Sequence, residues 1–284
     1  MTDDRNNHQN QNPNQYDENV PVSLRILSTQ MRALREGAEL TQRELGDRAG
    51  FSESQIGSVE QGRRPLRMDL AEQLERVFKV PKVFTSVVNE QLKEPHPSWF
   101  QPFAAAEAEA VALSTYNAQL IHGLLQTEAY ARAVHLAYRP ALDDEELERR
   151  VAARLARQQL LTRTPAASLS FILEEVTLRR PIGGWDVMRQ ELNHLLVVGQ
   201  LRHVEIQVMP TERFTHAGLG GSFTLVERAD QEVGVYLEVQ DNGRLIGDRR
   251  PVSKIARRYG ILQSQALSPE ESAEFIRQLV TGER

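Results

Sequence analysis

The histidine and acidic residues that could activate a water molecule are the first candidates for chemistry in this sequence. His203 and Glu205 flank Val204, a spacing that matches half of the signature of zinc-dependent deaminases. The other half of that signature is a pair of cysteines, and the 284 residues include no Cys. Hydrolysis by such a zinc site is therefore excluded, as are thiolate catalysis, disulfides, zinc fingers and iron–sulfur clusters.

Motifs of other enzyme classes are also missing from the sequence. It contains no HExxH, no GxSxG and no GxxxxGK followed by Ser or Thr. Gly218, Gly220 and Gly221 fall short of GxGxxG and precede a strand pattern where a dinucleotide site needs a helix, so we interpret them as a turn. His194 lies in an apolar helical pattern, and we interpret it as a packed or surface histidine. We therefore expect no enzyme, no cofactor and no metal site.

Composition places the chain among ordinary globular proteins. The hydrophobic fraction is 40%, the charged fraction is 26% and the net charge is −5. No apolar run approaches the roughly 18–20 residues that cross a bilayer, and the first 19 residues lack the apolar segment of a signal peptide. We therefore expect a cytoplasmic protein without a membrane partner.

The segment from Leu40 to Leu66 carries the most informative pattern. Two helices that cross at a sharp angle need a small residue at the crossing and a glycine in the left-handed turn between them, and Gly46 and Gly50 occupy these positions. The second helix needs a buried apolar face, which Ile56 and Val59 supply. Four independent requirements met in one register predict a helix-turn-helix.

Capping patterns and apolar periodicity frame this segment with further helices. Thr41 with Glu44, and Ser52 with Gln55, each predict a capping box at a helix start. Apolar stripes predict helices over 22–35, 68–78 and 81–92 as well, which makes five short helices in about 70 residues. Residues 22–67 hold eight Arg against six acids. This mildly basic stretch permits nucleic-acid binding, although charge alone favours a solvated helix surface.

The segment LTQRELGDRAGFSESQIGSVEQGRR resembles the repressor/Cro-type helix-turn-helix family often called XRE. The resemblance implies that the second helix of the motif lies in the major groove of DNA and that the start of the first helix holds a phosphate. The residues that the resemblance and their chemistry assign to DNA are Thr41, Gln42, Ser52, Glu53, Ser54, Gln55, Ser58, Arg63 and Arg64.

These residues differ in the DNA groups that they suit. Gln42 matches the phosphate clamp, while Arg63 and Arg64 follow the recognition helix, where they can meet backbone phosphates. Ser hydroxyls suit phosphates or any base, and Glu53 can accept from cytosine N4. By position in the family motif, the resemblance implies that Ser52, Glu53, Ser54 and Ser58 face the groove, with Gln55 as an additional candidate contact. This groove face lacks Arg, and Gly57 falls among its middle residues. We therefore expect modest specificity per half-site and a homodimer on a palindromic operator.

Beyond residue 92 the pattern changes to a mixture of helices and strands. Three prolines between Lys93 and Phe103 predict a linker in which aromatic side chains anchor the chain to the second domain. Helical patterns follow over 104–120, 126–138 and 143–162, then alternating strands near 169–173, 204–208, 223–225 and 233–239, with a helix over 185–199 and two closing helices. The predicted architecture is an all-α head followed by an α+β domain with a mostly antiparallel sheet. Its ranges are a disordered tail over 1–21, the head over 22–92, a linker over 93–103 and the second domain over 104–284.

Segments such as HGLLQTEAYARA, RVAARLARQQLL and GLGGSFTLVE resemble the C-terminal domain of actinobacterial regulators of the WhiJ type. The resemblance implies an interaction or sensing domain that is commonly encoded beside a small partner protein. Two hypotheses follow: a transcriptional regulator whose second domain binds a small partner or ligand, and an antitoxin-like protein that neutralises a small neighbour-encoded partner and uses DNA binding for autoregulation. A third hypothesis is an enzyme with a DNA-binding appendage.

Overall fold

The computed structural model describes residues 22–62, 64, 66–93, 96–240 and 242–282, with side chains described for all but 22–24 and 90–93. The chain divides into two compact units, Met1–Glu94 and Pro95–Arg284. The predicted disordered tail over 1–21 lies outside the described residues. Among the described residues, no helix combines the length and the apolar character that crossing a membrane requires.

The first unit consists of helices in its described part, as the sequence predicts. They are α1 (Val22–Gly37), α2 (Gln42–Ala49), α3 (Glu53–Glu60), α4 (Met68–Phe78) and α5 (Thr85–Lys93). Their shared core includes Leu27, Met31, Leu45, Ile56 and Leu74, each at most 1% exposed. The predicted start of α5 at Pro81 is four residues early, because a turn over 81–84 buries Phe84 first.

The second unit combines one sheet with helices on both of its faces. The helices are α6 (Gln101–Glu109), α7 (Glu128–Leu136), α8 (Asp144–Arg157), α9 (Glu175–Arg179), α10 (Trp185–Val198), α11 (Arg249–Gln265) and α12 (Pro269–Thr281). The strands are β1 (Ala110–Asn117), β2 (Ser168–Glu174), β3 (Val204–Met209), β4 (Phe223–Arg228), β5 (Val233–Val239) and β6 (Asn242–Ile246).

The sheet has the order β3-β2-β1-β4-β5-β6. β1, β2 and β3 are parallel, whereas β4, β5 and β6 join by antiparallel pairing, so the predicted mostly antiparallel sheet is confirmed. One face packs mainly against α7, α10 and α12 through a core that includes Leu113, Phe171 and Val208. The other face packs against α11 through residues such as Phe223 and Tyr259.

The sequence patterns did not predict β1 and β6. The helix predicted over 104–120 is wrong beyond Glu109, where β1 forms the centre of the sheet. Its alanines favour a helix by intrinsic propensity, but pairing with β2 on one side and β4 on the other overrides that preference. β6 is short and lies at the sheet edge, so it carries little apolar alternation.

The aromatic residues of the proline-containing segment belong to the second unit. Phe103 stacks on Tyr236 of β5 with ring centroids 4.1 Å apart, and Phe100 meets the same ring edge-on at 5.7 Å. Both phenylalanines are buried, which confirms that these side chains anchor the start of this unit.

Candidate nucleic-acid interface

The turn between α2 and α3 depends on two glycines. Gly50 adopts a left-handed conformation with φ of 79°, and its N–H donates to the carbonyl of Gly46. A Cβ atom on Gly46 would lie 2.5 Å from the carbonyl oxygen of Phe51, so a side chain there would displace backbone. Both requirements read from the sequence are confirmed.

The apolar faces of α2 and α3 fix which side chains remain outside. Leu45 and Ile56 are fully buried, and Val59 is 5% exposed. Burial is confined to the later part of α3, and Glu53, Ser54 and Gln55 at its start are exposed. The first turn of α3 therefore presents short polar side chains to a ligand.

Ser58 continues this face but is only half-buried. Its Oγ donates to the backbone carbonyl of Ser54 at 2.7 Å. The hydroxyl hydrogen is engaged within the helix, while the oxygen can still accept a hydrogen bond. A base or phosphate must replace the internal bond for Ser58 to act as a donor.

Thr41 and Ser52 cap α2 and α3, and both capping boxes predicted from the sequence are present. The Thr41 Oγ1 accepts from the Glu44 N–H at 3.2 Å, and the Glu44 carboxylate accepts from the Thr41 N–H at 2.8 Å. The hydrogen bonds that this carboxylate accepts from the N–H and the hydroxyl of Thr41 lower the pKa of Glu44. The Gln55 Oε1 accepts from the Ser52 N–H at 2.9 Å, which leaves the Gln55 amide NH₂ on the exposed surface.

Gln42 is held by a buried acid that the sequence analysis missed. Its Nε2 donates to Glu60 Oε2 at 2.8 Å, and its Oε1 lies 3.0 Å from where a Gly57 Cβ would stand. Gly57 is buried, so the prediction that it lies on the groove face is wrong. Because Gly57 has no side chain, the Gln42 side chain can pack against it. The structure thus fixes the orientation of Gln42.

Glu60 is fully buried and also accepts two hydrogen bonds from Arg35, from Nε at 2.6 Å and Nη2 at 3.0 Å. Its carboxylate therefore links α1, α2 and α3. The spacing in the sequence is consistent with a buried Glu60, because Glu60 lies four residues after Ile56 and so on the same buried face of α3. A charged residue at such a position predicts a buried ion pair.

The arginines differ in how free they are to meet phosphates. Arg64 is exposed, and its backbone N–H donates to the Ser58 carbonyl at 3.2 Å, so the turn after α3 holds it near the recognition helix. Arg63, assigned the same role from the sequence, lies outside the described residues. Arg43, in the first turn of α2, is also exposed and was not singled out.

The histidine and the glycines of the second unit that the sequence singled out make contacts within that unit. His203 Nε2 lies 2.9 Å from the Leu161 carbonyl oxygen, while Glu205 is exposed on β3. Gly218 and Gly221 form a turn in which the Gly221 N–H donates to the Gly218 carbonyl at 3.0 Å. Within the described parts of the chain, no group of three or more His, Asp or Glu side chains could hold a metal ion.

Comparison with protein-family models agrees with the division of the chain into two units. Residues 26–83 match the model of a helix-turn-helix domain, and residues 100–278 match the model described as a domain of unknown function, DUF5753. No curated protein and no solved structure matches the chain. The first match indicates a DNA-binding regulator rather than an enzyme. Since the second covers more than half of the chain, the protein belongs to the DUF5753 family and carries a helix-turn-helix domain N-terminal to that domain.

Proposed function

We propose that the protein is a sequence-specific transcriptional regulator that binds double-stranded DNA through α3. The observation that carries this proposal is the orientation of α3. Its apolar side chains are buried against the other helices, and Glu53, Ser54 and Gln55 are exposed at its start. A helix with this arrangement can enter the major groove with its N-terminal residues toward the base edges.

The proposed contacts follow from the chemistry of each side chain. Glu53, Ser54, Gln55 and Ser58 meet base edges, because carboxylate, hydroxyl and amide groups complement their donors and acceptors. Arg64 holds a phosphate, and Thr41, Gln42 and Arg63 are further phosphate contacts. Ser52, which caps α3, faces the groove beside Glu53. For Gln42 the free groups are the second Nε2 hydrogen and the Oε1 atom, since one Nε2 hydrogen is bonded to Glu60.

A single eight-residue recognition helix presents few base contacts, which supports a homodimer on a palindromic operator. The C-terminal unit is then the part that receives a signal from a small partner protein or ligand. Its resemblance to WhiJ-type regulators supports a neighbour-encoded partner and a cytoplasmic site of action. Exposed apolar side chains such as Phe214 and Leu219, 82% and 72% exposed, are available for such a contact.

Selection of binding sites from a random library of duplex DNA tests this function. The wild-type chain should enrich a palindromic motif. Ser54→Ala with Ser58→Ala should enrich a different or weaker motif, whereas Arg64→Ala should keep the motif and bind every sequence more weakly. Ser86→Ala and Arg76→Ala change exposed residues of α5 and α4 and serve as matched controls. Enrichment of no motif by the folded wild-type chain would contradict the proposal.

A further inference from the structure

α11 is a strongly basic helix in an acidic chain. Its sequence, RRPVSKIARRYGILQSQ, holds four Arg, one Lys and no acid, whereas the whole protein has a net charge of −5. Such a concentration of one sign on one helix creates a local positive potential despite the overall charge.

The cations lie on the side of α11 that faces away from the sheet. Val252, Tyr259 and Leu262 are buried toward the sheet, while Arg250, Lys254 and Arg257 are exposed. Spacings of four and three residues align these three cations in one row. At a rise of about 1.5 Å per residue, the row is about 10.5 Å long.

Within the described residues, none of the five cations of α11 forms an ion pair. The lack of ion pairs distinguishes α11 from α8. The arginines of α8 also recur at helical spacing in the sequence, but they have side-chain partners. There Arg157 pairs with the buried Glu107, and Arg149 and Arg150 pair with Glu146. The α8 arginines are part of the fold, whereas the cations of α11 have no carboxylate partner among the described residues. Arg257 Nη1 donates only to the Ser253 hydroxyl, at 3.4 Å, so the row can still bind an external anion.

The beginning of α11 adds to this excess of positive charge. Asp248 precedes the helix without forming a side-chain cap, and the first turn contains Arg249 and Arg250 but no acid. Cations at the positive end of a helix dipole are unfavourable for the isolated helix, and an anion bound there would offset the cost.

We propose that the exposed row of α11 contacts the phosphate backbone of the duplex DNA that the protein binds. The inference rests on the proposed function, because it takes DNA binding by the first unit as given. Successive phosphates of one strand advance about 3.4 Å along the duplex axis, so a row of about 10.5 Å spans about three of them. Ser253, Ala256 and Gly260 lie beside the row and leave room for a close approach.

Two observations favour DNA over an acidic protein as the partner. The outer row continues into a single large apolar side chain, Ile261, whereas protein interfaces concentrate energy in several apolar and aromatic anchors. In addition, α5 ends at Lys93 and α6 begins at Gln101, so DNA held by the first unit is present at high local concentration around the second.

Salt-dependent binding of the full chain to a labelled 40-base-pair duplex of mixed sequence tests the proposal. Replacing Arg250, Lys254 and Arg257 with Gln should reduce the slope of log affinity against log salt by about 2.7 if all three contact phosphates. The loss of affinity between about 50 and 200 mM salt should then be about forty-fold smaller than for the wild type. A control with Arg189→Gln, Arg202→Gln and Arg277→Gln removes the same charge from exposed positions outside α11 and should keep the wild-type slope.

Lys254 provides a local readout, because it is the only lysine between residues 94 and 284. Acetylation of its ammonium group, followed by mass spectrometry, should slow severalfold when the duplex is added to the wild-type chain. An unchanged slope in the triple variant together with unprotected Lys254 would overturn the inference while leaving the proposed function intact. Failure of the wild-type chain to bind duplex DNA would overturn both. Wild-type DNA binding by the triple variant, with loss of an acidic protein that co-purifies with the wild type, would assign α11 to that protein instead.

Discussion

Removal of the buried carboxylate of Glu60 should destabilise the helix-turn-helix unit selectively. This carboxylate accepts hydrogen bonds from both Arg35 and Gln42 and is fully buried. In Glu60→Ala the guanidinium of Arg35, whose side chain is only 11% exposed, would lose its buried counter-charge. Gln42 would lose the bond that orients it.

The expected loss is large for a domain of this size. Breaking a buried ion pair by removing one partner costs about 3–5 kcal/mol. A domain of about 70 residues has roughly 4–11 kcal/mol of total stability, so the variant loses about a quarter of it at the least. Since about 1.4 kcal/mol changes an equilibrium constant tenfold, the population of the open state should rise at least about a hundred-fold.

Hydrogen exchange followed by mass spectrometry of peptides is the suitable assay, because both tryptophans, Trp99 and Trp185, lie in the second unit and fluorescence would miss the change. Peptides of α1 to α4 should exchange about a hundred-fold faster in Glu60→Ala, and peptides of the sheet should be unchanged. Glu36→Ala is the matched control, since Glu36 also pairs with Arg35, at 3.3 Å, but is 61% exposed, and such surface pairs contribute at most about 1 kcal/mol. Equal exchange in the two variants would refute the assignment of Glu60 as the residue that links the helices.

Three further predictions concern the second unit, each checked by its denaturant midpoint. Burial raises the pKa of Glu191 to about 7, so in the wild type the stability due to this carboxyl should fall as the pH rises from about 4.5 to about 7, by on the order of 3 kcal/mol. Glu191→Gln, which stays neutral, should lack that decrease, and equal pH dependence in both proteins would contradict the burial argument. Gly218→Ala should cost about 1–3 kcal/mol, because the new Cβ would clash with the buried ring of Tyr116; an unchanged midpoint would show that the ring moves freely. Arg157→Ala should cost about 3–5 kcal/mol, because it leaves the buried Glu107 without its bidentate partner, and a loss below about 1 kcal/mol would mean that Glu107 takes up a proton or another partner at little cost.

The sequence predicted the helix-turn-helix well because its determinants are local. Capping boxes at Thr41 and Ser52, the left-handed Gly50 and the apolar spacing of α3 each depend on residues within one or two turns. What it missed depends on pairing between distant residues. Glu60 acquires its role from Arg35, 25 positions away, and Gly57 acquires its role from Gln42 on another helix.

The contrast between local and long-range determinants also explains which strands of the second unit the sequence predicted. Strands with clear alternation, such as β2 and β3, were predictable, whereas β1 became a strand only through pairing with β2 and β4. The arginines of α8 and α11 have similar helical spacing in the sequence. Only the packed structure shows that Arg157 is paired inside the fold and that Arg250, Lys254 and Arg257 lie at the surface.

Genome-wide capture of DNA bound to the tagged full-length protein in its native host, compared with the Ser54→Ala, Ser58→Ala variant, tests the central claim most directly. We expect recovery of a small set of sites that share a palindromic motif, and loss or change of that motif in the variant. Mass spectrometry of the same samples would show whether a small partner accompanies the bound protein. Absence of enriched DNA for the wild-type chain, or an identical motif for both proteins, would contradict sequence reading by α3.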